Sequence, residues 1–287
     1  MQNNGFSTNK TWNVGGRILD FATPKLMGIL NVTPDSFYDG SRYNDIGAAM
    51  KQAAKMIEEG ADMIDVGGYS TRPGADDISP DEEASRVVPV INAIAKEFPE
   101  AIISIDTFRG NVAAKALDAG ATIINDITGG DYDPGLRKLA IARRAPYIIM
   151  HMRGTPKTMN SLAQYTNVVN EVISSLQKKV HDYQQEGMTD IAIDPGFGFA
   201  KNVDKNFEML RDLGAFRIID KPLLVGISRK SMIWRTLDIQ PADALNGTTA
   251  LNMLALAKGA DILRVHDVKE ALECVKLYRR IAKDTKN

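Results

Sequence analysis

"EEGADMIDV", residues 58–66, is a helix end, a glycine, a short step and an apolar run that closes on a polar group. The phrase returns as "DAGATIIND" (118–126), "QEGMTDIAID" (185–194) and "AKGADILRV" (257–265). Gly60, Gly120, Gly187 and Gly259 occupy the place just past a helix end, where a left-handed residue lets the chain reverse. A helix stop feeding directly into a buried strand is half of a βαβ unit, so the repeat predicts parallel strands alternating with helices.

Outward from these four, eight apolar runs qualify as strands: 25–31, 62–66, 102–106, 122–126, 146–151, 190–194, 222–227 and 261–265. Helical patterns fill the gaps over 46–59, 80–97, 110–119, 135–144, 166–186, 205–213, 245–258 and 268–283. Ser79 reads as an N-cap before an acidic first turn. Eight strands alternating with eight helices is the content of an α/β fold of the (β/α)8 TIM-barrel type, with a doubly wound open sheet as the rival. No composition shift marks a second domain. Residues 1–24 read as an N-terminal lead-in, with a short hairpin closing the lower end, and 25–287 as the barrel.

Of the 287 residues, 44% are hydrophobic and 25% charged, an ordinary globular balance. Lys plus Arg number 35 against 36 Asp plus Glu, which argues against a nucleic-acid face. Cys274 is the only cysteine, so no intrachain disulfide can form, which fits a reducing cytoplasmic compartment. The opening "MQNNGFSTNK" lacks a signal-peptide core and no apolar run approaches bilayer length. The expectation is a soluble intracellular protein with no membrane partner.

Function is signalled by what ends each run: Asn31, then Gly67 and Gly68, Asp106, Asn125 with Asp126, His151, Asp194, Ser228 to Lys230, and Arg264 with His266. In a barrel these ends open on one face, where barrel enzymes place their chemistry. A lone Asp or Asn after a strand is a turn former or cap about twice as often as a ligand. Asp126 and Asp267 suit that bland role, Asp65 reads as a satisfied internal hydrogen bonder, and the glycines of "DPGFGFAK" need only permit a turn. Recurrence at nearly every strand end tips the balance toward a site.

Histidines stand only at 151, 181 and 266, without zinc spacing. Asn31 with carboxylates elsewhere suits a hard cation such as Mg²⁺ that binds substrate phosphates. No Gly-x-Ser-x-Gly elbow, P-loop or Gly-x-Gly-x-x-Gly fingerprint is present. Asp106, Asn125 and Asp194 offer acceptors, Lys230 a mobile cation, and Arg264 with His266 a donor pair suited to an anion. Two loops, "TPDSFYDGSRYND" and "YSTRPGADD", are placed to close over them.

"MGILNVTPDSF", "DVGGYSTRPGA", "IDTF", "INDITGG", "MHMRGTPKTM", "DPGFGF", "GISRKSMI" and "RVHDV" together resemble the dihydropteroate synthase family along nearly the whole chain. The resemblance implies a pterin-binding TIM barrel, a cytoplasmic homodimer and sulfonamide target. Its activity would be the Mg²⁺-dependent condensation of 7,8-dihydropterin-6-ylmethyl diphosphate with 4-aminobenzoate to dihydropteroate and pyrophosphate, in folate biosynthesis. By that resemblance Asp106, Asn125, Asp194 and Lys230 hold the pterin, Met150 lines the slot and Arg264 stacks on the ring. Asn31 sits by the metal, and Asn31, Thr71, Arg72, Arg264 and His266 serve the pyrophosphate. Thr33, Pro34, Asp35 and Ser70 belong to the mobile loops. Phe37, Pro73 and Phe199 wall the aminobenzoate pocket, and Ser231 meets its carboxylate from a helix start.

Arg264, His266, Lys230 and Asn31 are the expected catalytic set. Loss of Arg264 or His266 is expected to cut turnover by roughly 10²–10³ without unfolding the barrel. Tyr69 and Ala200 depart from the family's common residues, and Tyr38 and Ser41 stand at variable places. Two other functions fit the same fold. One is a pterin-dependent methyltransferase, which has no use for the diphosphate pair and works beside a corrinoid module; the other is a non-catalytic pterin-binding protein, which would have lost mouth residues.

Overall fold

The computed structural model describes residues 10–33, 42–71, 76–155 and 158–283. Strands β1 (Thr11–Val14) and β2 (Arg17–Asp20) form an antiparallel hairpin. Its two-residue turn is Gly15-Gly16 with φ of 59° and 89°, a left-handed pair that matches the twist of the strands. The parallel strands are β3 (Lys25–Asn31), β4 (Met63–Gly67), β5 (Ile102–Asp106), β6 (Ile123–Asp126), β7 (Tyr147–Met150), β8 (Ile191–Asp194), β9 (Leu224–Val225) and β10 (Ile262–Val265).

They pair in the order β8-β7-β6-β5-β4-β3-β10-β9. The two remaining edges meet through one parallel bridge, Ile193 to Leu223, where Ile193 N donates to Pro222 O at 2.9 Å. The sheet is therefore a nearly closed barrel, which excludes the doubly wound alternative.

Around it run α1 (Arg42–Glu58), α2 (Pro80–Glu97), α3 (Gly110–Asp118), α4 (Pro134–Arg143), α5 (Val168–Gln185), α6 (Val203–Arg211), α7 (Ser231–Leu237), α8 (Leu245–Ala257) and α9 (Val268–Lys283). Ser79 caps α2 by accepting from Glu82 N at 3.1 Å. The four repeat glycines all lie in the left-handed region, with φ between 98° and 117°. Helix α7 is one more than the sequence pattern showed. Its seven residues span two turns, too few for a periodic apolar stripe to register. None of the described helices is long and apolar enough to cross a membrane.

Strand alternation divides the apolar residues between two packing zones. Leu26, Ile64, Ile103, Ile124, Ile149, Ile193 and Leu263 face outward into the large cluster shared with the helices. Met27, Met63, Ile123, Ile148, Ala192, Leu224 and Ile262 face inward at the lower end, joined by Trp12, Val14, Leu19 and Phe21 of the hairpin segment. That segment plugs the bottom of the barrel. Trp12 is 2% exposed and meets Phe21 edge-to-face at 5.0 Å.

Trp12→Ala empties this plug and should cost about 3–5 kcal/mol of unfolding free energy. Urea denaturation checks it; a loss under about 1 kcal/mol would mean that the hairpin does not complete the core.

Candidate active site

Two residues further along the inward face, five of the eight strands change from apolar to polar. Met63 is succeeded by Asp65, Ile102 by Ser104, Ile123 by Asn125, Ala192 by Asp194 and Ile262 by Arg264. Register carries the rim across neighbouring strands, with Asn31 beside Gly67, Gly67 beside Asp106, and Asp106 beside Asn125. Met150 pairs laterally with Asp194 and is 2% exposed. Residues far apart in sequence thus meet because parallel strands of a closed sheet end at one level.

Arg264 ties the layer together. Its Nε donates to Asp65 Oδ2 and its NH2 to Asp106 Oδ2, both at 2.6 Å. Asn125 Nδ2 donates to the same Asp65 oxygen at 2.9 Å. Asp65 is fully buried, and among the described residues neither its Oδ1 nor Ser104 Oγ has a hydrogen-bond partner. Burial pushes the Asp106 carboxyl up to about 7 against the pull of Arg264, with Asp65 adding repulsion. Burial works against the Arg264 charge, yet Asp65 and Asp106 outweigh it and raise that pKa above its ordinary value. Asp194 accepts from Gly196 N at 2.7 Å, and burial raises its carboxyl against the attraction of Lys230.

Lys230 is not the mobile cation that the sequence suggested. Its Nζ donates to Phe197 O and lies 4.8 Å from the centre of the Phe199 ring. Burial lowers its pKa to about 8, with Asp194 opposing the drop.

His266 is fixed by Ser228, whose Oγ lies 3.0 Å from Nδ1 and accepts from His266 N at 3.2 Å. Either the hydroxyl or the ring can supply the proton of that contact. Burial, then the Arg264 charge, lower its pKa to about 4. Arg229 braces this corner through Asp267, Nε to Oδ2 at 2.9 Å and NH2 to Oδ1 at 2.8 Å. Asp267 is thus an ion-pair partner rather than a turn former.

Asp126 points away from the layer. It accepts from Thr128 N at 2.8 Å, Gly130 N at 2.7 Å and Tyr147 Oη at 2.5 Å, which pins the loop after β6. Thr33, Ser70, Thr71, Phe199 and Ser231 are half-buried near the strand ends, and Ser231 opens α7. Pro34, Asp35, Phe37, Tyr38, Ser41, Arg72 and Pro73 lie outside the described residues. His181 is exposed on α5.

Sequence reasoning passed over Asp65 as an internal hydrogen bonder, and it is the hub of the layer. The signal was there: Asp65 lies two residues past Met63, on the inward face, as Asp194 lies two past Ala192. Among the described residues no group of three or more His, Cys, Asp or Glu is placed to hold a metal ion.

A barrel with this buried donor and acceptor layer is the frame of a pterin-binding enzyme, and the sequence family described as pterin binding enzyme matches residues 27–266. The chain is 45% identical over 264 residues to the dihydropteroate synthase of Escherichia coli, covering 91% of this chain and 93% of that one. A Xanthomonas albilineans dihydropteroate synthase solved with 4-aminobenzoic acid matches with a TM-score of 0.89 and 36% identity, over 96% of this chain and 99% of that one. The enzyme of that organism in complex with 7,8-dihydropteroate matches with a TM-score of 0.85 and 33% identity, over 95% and 98%. The chain belongs to the dihydropteroate synthase family, transferases of folate synthesis.

Two outcomes follow from the geometry. Removing Arg264 leaves Asp65 and Asp106 facing each other uncompensated, so Arg264→Ala should lose about 3–5 kcal/mol of stability as well as activity, contrary to the sequence expectation. Chemical denaturation beside Arg264→Lys, which keeps a charge, checks this; equal stability of wild type and Arg264→Ala would refute it. Second, the unfolded chain protonates His266 more readily than the folded one, so this group's contribution to stability is lost as pH falls from about 6.5 to about 4. In urea unfolding at pH 7 and pH 5, His266→Gln should gain on wild type at the lower pH.

Proposed function

We propose the following division of labour in dihydropteroate synthesis from 7,8-dihydropterin-6-ylmethyl diphosphate and 4-aminobenzoate. Asp194, Asp106 and Asn125 accept from and donate to the pterin's polar edge, Lys230 meets its carbonyl and ring nitrogen, and Met150 lines the slot. The support is that Asp106, Asn125, Met150 and Asp194 stand at the ends of four neighbouring strands, and that Lys230, at the start of α7, is close enough to feel the charges of Asp194 and Asp106.

The reaction breaks the bond between the pterin methylene carbon and the diphosphate oxygen, with the electron pair leaving on the diphosphate. A resonance-stabilised pterin-methyl cation results. The arylamine nitrogen then forms the new C–N bond and sheds a proton. Arg264 keeps the donors of its NH1 end beyond those given to Asp65 and Asp106, and neutral His266 donates from Nε2; both face the departing anion in this scheme. Donors fixed before the reaction stabilise developing charge without reorganising. Phe199 and Ser231 address the arylamine, with Phe37 and Pro73 as further walls. Thr71 and Arg72 add to the diphosphate site, and Thr33, Pro34, Asp35 and Ser70 to the loops over it.

The metal requirement has a sparse protein side. An added Cβ on Gly67 would lie 3.8 Å from Asn31 Oδ1 and 3.6 Å from Asp106 Oδ2, so an amide oxygen stands at the rim close to a carboxylate. One neutral oxygen there fits Mg²⁺ that keeps its waters and binds substrate phosphates, rather than a resident protein cage. When bound, the ion would neutralise diphosphate charge.

We also place the chain in the cytoplasm, with residues 25–287 as the catalytic barrel and 1–24 as its lead-in. Exposed Leu254, Leu277 and Ile281 on α8 and α9 support a homodimer, which sedimentation would test.

Purified protein should release pyrophosphate when given both substrates and Mg²⁺, and chelation should stop it. Omitting the arylamine separates bond cleavage from bond formation. His266→Ala should lower kcat about 10²–10³-fold. Binding of the pterin diphosphate without any turnover would instead favour a non-catalytic pterin binder.

A further inference from the structure

Lys201 is 7% exposed, and nothing in the scheme above uses it. Its Nζ lies 2.9 Å from Phe199 O, 3.1 Å from Gly196 O and 3.1 Å from His151 Nδ1, with His151 O further off at 3.4 Å. Burial lowers the Lys201 pKa to about 7, with Asp194 opposing the drop; in its ammonium form Lys201 has three N–H donors, and the three nearer acceptors take them all. His151 can accept because burial, then the Lys201 charge, drive its pKa down to about 2 and keep the ring neutral. No donor remains for a substrate, so Lys201 holds protein to protein.

What it holds is the loop after β8 against the end of β7. The approach is close: a Cβ on Gly196, whose φ is 73°, would stand 2.1 Å from His151 O. The loop also carries its own strain, since Ala200 sits at φ 50°, where a side chain costs on the order of 1 kcal/mol. A segment that resists its own conformation needs outside ties. Asn206 of α6 supplies one, accepting from Gly198 N at 2.8 Å and donating to Lys201 O at 3.2 Å. Lys201 supplies the other.

The loop presents two groups to the site. Phe197 is fully buried in the main core and gives its carbonyl to Lys230. Phe199 has only partial packing, in a small cluster with Phe108, Met150 and Ala200, and its ring faces the Lys230 ammonium. The core anchors Phe197 independently, whereas the Phe199 backbone is bonded directly by Lys201.

We propose that Lys201 is a positioning residue: its ammonium fastens the 195–200 loop to the end of β7, so that the Phe199 ring stands over Lys230 as a wall of the arylamine pocket. This rests on the assignment of Phe199 to that pocket.

Lys201→Met keeps the apolar stem and removes the donors. Steady-state pyrophosphate release should show the KM for 4-aminobenzoate raised about tenfold or more, equivalent to about 1.4 kcal/mol. The saturating kcat and the Kd for the pterin diphosphate by calorimetry should each change less than about threefold. Phe199→Ala should raise the same KM, and the double variant should add little to either single effect. An unchanged KM in Lys201→Met beside a raised one in Phe199→Ala overturns the role of Lys201, as does an equal loss of affinity for both substrates. An unchanged KM in Phe199→Ala overturns the pocket assignment instead. If Lys201→Met does not fold, Lys201→Gln, which keeps two donors, should show a smaller rise in the same KM, and no rise overturns the proposal.

Discussion

The guanidinium of Arg264 lies between Asp65 and Asp106, and the polar half of the barrel depends on that bridge. A cation between two carboxylates, one of them fully buried, offsets their mutual repulsion. A guanidinium suits the task because its planar fork donates in two directions and stays charged when buried. Such a triad is weak evidence for stability, since apolar replacements often pack as well. Its value lies in orientation: it holds Asp65, Asp106 and, through Asp65, Asn125 in set directions.

The fold supplies the conditions for the bridge. One inward layer is apolar and sealed below by the hairpin segment, and the next layer up is polar. Closure of the sheet brings β10 beside β3 and so puts Arg264 opposite strands β4 and β5. Because the donors and acceptors are fixed by strands rather than loops, a planar polar ligand meets them already aimed. The loops after the strands add less rigid parts, and the segment after β8 is held by Lys201 and Asn206 as well as by its own glycines.

Electrostatics divides the site by depth. Asp106 and Asp194 lie toward the interior, where burial favours their neutral forms, while Arg264 beside Asp106, and Lys230, the Gly196 N–H and Arg264 around Asp194, favour the charged ones. His266 sits at the rim, held neutral by burial and oriented by Ser228, so it adds no further cation. In the proposed scheme the same surroundings accept a pterin's donors below and offer donors to an anion above.

The amino-acid sequence by itself determined the architecture and singled out most of the residues proposed for the site. The glycine-stopped repeat set the αβ alternation, the positions of all eight barrel strands followed from their apolar runs, and the polar residue ending each run marked the mouth. Period-two alternation makes such features local, so they survive without coordinates. Tertiary structure decided the rest. Asp65 became a hub rather than a bystander, Lys230 a held cation, and Asp267 an ion-pair partner of Arg229, because each of these depends on a neighbour tens to hundreds of residues away. The short α7 was invisible for a different reason, having too few turns to repeat. Which buried charges meet is set by ring closure and strand register, and no window of sequence contains both partners.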